Sequence, residues 1–177
     1  LWKAVEGHVN AGTPGELVVA DLPNAQRDLR RKTHETLQKV TDDFGRRQTF
    51  NTAIAAVMEL LNETSKLADR ANPLGLAVER EALETAILLL APIVPHITHV
   101  LWKELGHTNS PLESPWPTLD ESALVRSSIE VVVQVNGKLR GKIDAAIDTP
   151  KETLEQLALA QENVQKFLEG VTVRKVV

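Results

Sequence analysis

The feature that most constrains this chain is a change of hydrophobic period. Apolar residues recur every three to four positions as far as Gly106, and every second position beyond Ile129. The first spacing buries one stripe of a helix and the second one face of a strand, so the chain reads as helices followed by a separate strand-containing unit. Leu29, Thr33, Leu37, Val40 and Phe44 predict a helix over 24–44, opened by Asn24 and closed by Gly45. Phe50, Ala53, Ile54, Val57, Met58, Leu61 and Ala68 predict a second over 50–70, with Asn72-Pro73 as its stop. A third starts at Glu79, meets Pro92 and Pro95, resumes through Ile97, Val100, Leu101 and Leu105, and ends at Gly106. With a partial helix over 1–9, these make an antiparallel bundle of about four helices.

Between the two periods, 107–128 holds three prolines and five serines without periodicity, and reads as a linker. Trp102 and Trp116 are the residues that would pack it onto the bundle. After it come a β-branched run from Ile129 to Val135, the turn signal Asn136-Gly137 and an alternating segment from Lys138 to Ile147. Thr149-Pro150 opens a helix carrying Leu154 and Leu157; 163–168 forms a second, and Val171 to Val177 a returning strand. The fold class is α+β: a bundle over 1–106, a proline-rich linker packed on it over 107–128, and a small α/β domain over 129–177 with a β-hairpin, two short helices and the returning strand.

Forty-two per cent apolar residues suffice for a core, and no stretch reaches the length of a membrane span, so the expectation is a protein without membrane contact. With no cysteine there is no thiolate nucleophile, disulfide or cysteine zinc site; the cytoplasm is the compartment expected. The chain opens on Leu1-Trp2-Lys3 without an initiator methionine, which suggests a piece of a longer polypeptide. A net charge of −4 argues against a non-specific polyanion binder, but residues 1–128 carry the whole deficit and the tail is neutral. Any nucleic-acid surface must be local, and 3% aromatic residues leave few platforms for stacked bases.

The sharpest local signal is the alternation of Lys138, Arg140 and Lys142 with apolar or small residues. Period two places the three cations on one face, roughly 6.5–7 Å apart, a spacing that suits successive phosphates. A two-residue turn would set the apolar face of one strand beside the basic face of the other. A three-residue loop over 135–137 restores agreement, pairing Val133 with Leu139, Val131 with Gly141 and Ile129 with Ile143. Gln134, Val132 and Glu130 then lie opposite Lys138, Arg140 and Lys142. Asn136 and Gly137 form the tip, and Gly141 admits a close backbone. The competing reading is an edge strand kept soluble by charge.

Arg46 and Arg47, and the group Arg27, Arg30, Arg31 and Lys32, are further phosphate candidates or solvated helix faces. His96 and His99 sit three apart but have no third metal ligand within four positions, which favours a structural role. Asp42 and Asp43 diverge on a helix and make no acid–base dyad, and no phosphate-loop, dinucleotide or nucleophile-elbow motif occurs.

The segments from Phe50 to Asn62 and from Leu90 to Ile97, followed by Leu101-Trp102 and Trp116-Pro117, resemble the anticodon-binding-type helical domain of class I aminoacyl-tRNA synthetases. The run from Val133 to Lys142 resembles the C-terminal domain of bacterial leucyl-tRNA synthetases in particular. The resemblance implies a parent enzyme that esterifies leucine to tRNA(Leu) with ATP and magnesium, through H-x-G-H-like and K-M-S-K-S-like motifs absent from this chain. It implies no catalytic site and no cofactor here. The partners implied are tRNA(Leu) and the upstream catalytic domain of the same polypeptide, in a monomer. It further implies that the small domain holds the tRNA elbow through backbone and shape, and that a strand-forming segment continues past Val177. The candidate tRNA-binding residues are Asn136, Gly137, Lys138, Arg140, Lys142, Arg46 and Arg47. Thr98-His99-Val100 replaces an acidic pair common in the family, which removes a charge contact there. The reading from another class is a helical protein-interaction module with a small α/β cap, supported by the acidic bundle and the tryptophans.

Overall fold

A computed structural model describes residues 1–125, 128–146 and 149–168. The chain divides into two compact units, Leu1–Val125 and Arg126–Val177. The first holds five helices: α1 (Trp2–Ala11), α2 (Asn24–Asp42), α3 (Phe50–Leu67), α4 (Pro73–Leu90) and α5 (Pro95–Glu104). α4 is the central element, contacting each of the other four. Its buried residues run all round the helix, Val78, Leu83, Ala86, Ile87 and Leu89 being fully enclosed. Leu29, Leu37 and Val40 of α2, Val57 and Leu60 of α3 and Leu101 of α5 complete the core.

Several boundaries differ from the sequence expectation, each for a local reason. Asn24 is the first residue of α2, not its cap, because Pro23 precedes the helix in extended conformation. Gly45 does not stop that helix. The chain continues through a π-helical turn over Asp43–Arg47 and reverses only at Gln48, a non-glycine residue at φ 55°. Asn72-Pro73 opens α4: the Asn72 side chain accepts the Leu74 N–H at 2.9 Å, and proline at the first helical position forfeits no hydrogen bond. Pro92 and Pro95 separate α4 from α5 completely, where the sequence suggested one kinked helix. Gly106, at φ 90°, closes α5 as expected.

Glu79 is fully buried in α4, with its carboxylate held from two directions. His8 Nδ1 of α1 donates to Oε2 at 3.1 Å, and Arg70 Nη2 donates to Oε1 at 2.7 Å. The α3–α4 connection also depends on Gly75, where an added Cβ would lie 2.2 Å from the Asp69 carbonyl oxygen and 2.8 Å from Asp69 Cβ. Gly75→Ala gains about 1 kcal/mol of helix propensity, but the clash involves backbone and overpacking of this kind costs about 1–3 kcal/mol. The expected outcome is a lower melting temperature; a rise would refute the close-approach argument.

The second unit contains β1 (Ser128–Val135) and β2 (Lys138–Ala146), antiparallel, followed by α6 (Lys151–Ala160) and α7 (Glu162–Leu168). Both helices pack on β2, covering Ile143 and Ala145, and Val164 of α7 is buried with them. The returning strand expected over Val171 to Val177 lies outside the described residues.

Candidate nucleic-acid interface

Asn136 and Gly137 form a two-residue turn, with φ of 52° and 76°. Two consecutive left-handed residues are the mark of the tight hairpin turn whose twist matches that of the strands, which asparagine tolerates and glycine prefers. The three-residue loop inferred from the sequence is therefore not formed. Its purpose, bringing the faces into agreement, is met by a β-bulge. Val135 pairs with Lys138 and Gln134 with Leu139; the ladder then shifts, so that Val133 pairs with Gly141, Val132 with Lys142 and Val131 with Ile143. Arg140 is the extra residue.

The bulge also overturns the single basic face. Alternation restarts at Arg140, whose guanidinium carbon lies 3.7 Å from the centroid of the Phe167 ring on α7. Arg140 thus points to the helix-covered side. Lys142, exposed, shares the opposite side with Val132, while Lys138 pairs with Val135 at the exposed tip. The cations surround the end of the hairpin instead of lining one face. Gly141 does permit a close approach, but its neighbour is internal: an added Cβ would meet Gln161 Oε1 at 2.2 Å. Gln161 Nε2 in turn donates to the Lys142 carbonyl.

In the helical unit, the π-helical turn places Arg46 and Arg47 on a single carboxylate. Arg46 Nε lies 2.6 Å from Asp42 Oδ1 and Arg47 Nε 2.8 Å from Oδ2. The hydrogen bond from Arg46, with the charges of both arginines, holds the Asp42 carboxyl below its ordinary range. Both arginines remain exposed. Their corner is fixed by the buried Asp43, which accepts from Lys39 Nζ at 2.8 Å, Thr52 Oγ1 at 2.8 Å and Thr49 Oγ1 at 3.1 Å. Phe50, assigned from its spacing to the core stripe of α3, is 52% exposed. The buried stripe is Ala53, Ala56, Val57, Leu60, Leu61 and Thr64; Phe50, Ile54 and Met58 form the neighbouring one. Phe50 lies 5.3 Å from Phe44, and Phe44 5.9 Å from Trp116.

The Arg27 to Lys32 group is committed to structure. Arg30 is buried between Glu81 (3.1 Å) and Asp120 (2.7 Å), Arg27 donates to the Leu22 and Ala20 carbonyls, and Arg31 and Lys32 pair with Asp28 and Glu59. Trp102 stacks on His107 at 3.6 Å and donates to Asn109, while Trp116 donates to Thr41 at 2.9 Å, so both tryptophans fasten 107–116 to the bundle. Among the described residues, no group of three histidine or acidic side chains is placed to hold a metal, His96 and His99 included, and no helix is long and apolar enough to cross a membrane.

Residues 26–169 match the family described as the anticodon-binding domain of tRNA ligase. All 177 residues align with leucine–tRNA ligase of Cellvibrio japonicus (strain Ueda107) at 82% identity, covering 20% of that protein. They align with leucine–tRNA ligase of Saccharophagus degradans at 59%, covering 22%. The chain thus spans about a fifth of the length of these curated relatives. The crystal structure of the LeuRS–tRNA–LeuAMS ternary complex from Agrobacterium radiobacter K84 superposes on 98% of the chain and 23% of its own, with a TM-score of 0.66 at 28% identity.

Proposed function

The chain belongs to the anticodon-binding domain family of tRNA ligases, and from that premise we propose that it is the tRNA-holding region of a cytoplasmic, monomeric leucine–tRNA ligase. In this reading it positions tRNA(Leu) for leucylation by an upstream catalytic domain, to which activation of leucine with ATP and magnesium falls. The identity to leucine–tRNA ligases over the full chain supports the assignment. The observation that carries the mechanism is the exposed hairpin tip. Asn136 and Gly137 lack bulky side chains, so an RNA backbone can reach the turn, and Lys138 and Lys142 offer charge from either side. Contacts of this kind read the shape and phosphates of A-form RNA and need no base-stacking surface. Arg140 contributes from its position over Phe167, and Arg46 and Arg47 supply a separate basic point on the helical unit.

Lys138→Gln with Lys142→Gln in the complete ligase should lower the log–log salt slope of tRNA binding by roughly 1.5–2 units, at about 0.7–0.9 per phosphate contact. Adding Arg140→Gln brings the change to roughly 2–3 units, while pyrophosphate exchange with leucine, which needs no tRNA, stays constant. An unchanged slope in a folded, soluble triple variant would show that these cations only keep the sheet edge soluble.

A further inference from the structure

The helix α7 meets the hairpin at its irregular point, and in step with it. Gln161, Val164 and Phe167 recur every third residue, a spacing that sets them on one face of the helix and its lead-in. They touch three consecutive residues of β2 in reverse order. The Arg140 guanidinium carbon lies 3.7 Å from the Phe167 ring centroid, a Cβ added at Gly141 would meet Gln161 and lie 3.4 Å from Val164 Cγ2, and Gln161 Nε2 donates to the Lys142 carbonyl. Gln161 is itself held. It is the extended residue at which α6 ends, and its carbonyl accepts the N–H groups of Val164 and Gln165, each at 2.9 Å, where α7 begins.

The hairpin needs such a template. Its turn fixes the pairing as far as Gln134 with Leu139, and burial of Ile143 and Ala145 fixes it from Val131 with Ile143 onward. Between these ends β1 supplies Val132 and Val133 while β2 supplies Arg140, Gly141 and Lys142, so one residue of the three must leave the ladder. Which one leaves decides how the two cations are directed. The contacts from α7 select Arg140: its guanidinium has a ring to rest on, Gly141 is packed where no side chain fits, and the Lys142 backbone is tied down.

We propose that Gln161 and Phe167 are positioning residues for tRNA: they pin the bulge at Arg140 and thereby set the directions in which Arg140 and Lys142 meet phosphates. The inference rests on the tRNA-holding reading above. Both residues are uncharged and act through the cations of β2. A residue that only stabilised the small unit would have no preference for the register of the bulge, whereas Gln161 and Phe167 each engage one of the two residues whose direction depends on it.

The test is a double-mutant cycle in the complete ligase, read out as affinity for an unmodified tRNA(Leu) transcript. Gln161→Met keeps the length of the side chain but removes its amide, and should weaken binding roughly 2- to 12-fold, the factor for loss of one ordinary hydrogen bond. The log–log salt slope should fall by up to about 0.9, one phosphate contact. In a background of Arg140→Gln with Lys142→Gln the same substitution should change neither quantity, because the directions it sets no longer carry charge. An equal loss of affinity in both backgrounds is what a merely structural role gives, and it overturns the proposal, as does wild-type affinity in Gln161→Met. If Gln161→Met unfolds the small unit, Phe167→Leu, at a position 45% exposed, decides through the same cycle against Arg140→Gln. Weakening by Lys138→Gln, Arg140→Gln and Lys142→Gln together, with none by Gln161→Met, rejects the positioning role alone. Binding insensitive to the three hairpin changes rejects the tRNA-holding reading with it.

Discussion

Glu79→Ala is expected to destabilise the helical unit by about 3–5 kcal/mol, the range for removing one partner of a buried ion pair. Glu79 is fully enclosed and is the acceptor for both His8 and Arg70. Removing the carboxylate leaves a buried imidazole N–H and a partly buried guanidinium without it. Urea denaturation followed by far-UV circular dichroism measures the loss, and a change below 1 kcal/mol would contradict the network. The same group makes stability depend on pH. Burial alone would raise the Glu79 carboxyl, but the hydrogen bonds from His8 and Arg70 and the charge on both outweigh it and hold it below its ordinary value of 4.5. A carboxyl with a depressed folded pKa contributes its full stability above the unfolded value and loses it as the pH falls through the folded one. Acidification below about pH 4.5 should therefore erode the wild type more steeply than Glu79→Gln, which does not titrate. Equal slopes would mean that Glu79 is not the responsible group.

Trp102→Ala should cost about 3–5 kcal/mol as well, by a different route. The indole is 5% exposed, packs in the core of the bundle, stacks on His107 with an interplanar angle of 7° and donates to Asn109. Its loss opens a cavity and also releases the segment that follows α5. Equilibrium denaturation should report the first effect, and faster hydrogen exchange of the amides between Asn109 and Ser114 the second. Unaltered exchange in that segment would show that Trp102 fills the core without anchoring what comes after it.

Element type was legible in the sequence because helix and strand periods differ, and burial of one stripe or one face leaves that difference in the residue order. The α+β class and the antiparallel hairpin follow from it directly. Side-chain partnership was less legible. Phe50 and Met58 lie within one residue of the correct helical spacing, yet each residue advances the helix by about 100°, enough to carry a side chain from the core to its edge. Arg30 resembled a surface cation until Glu81 and Asp120, 51 and 90 positions away, closed around it. The candidate site had the same limit. The tip residues Asn136 and Gly137 announced a turn, but an inserted residue leaves no periodic trace when a glycine follows, so the bulge at Arg140 and its partner Phe167 were hidden. Asn72-Pro73 failed as a stop signal because a capping side chain and a proline that loses no hydrogen bond serve the start of a helix equally well.

The bulge gives the hairpin a tolerance that a regular ladder lacks. In a strand of alternating faces, losing one residue inverts every side chain beyond it and exposes the core. Here Val135, Gln134, Val133 and Val132 already pair with Lys138, Leu139, Gly141 and Lys142 as though Arg140 were absent. Deleting Arg140 would close the ladder without turning Ile143 or Ala145 outward. Position 140 is therefore a place where a lineage can gain or lose a cation without renegotiating the sheet, so charge at the hairpin can change in number while the fold beneath it keeps its register.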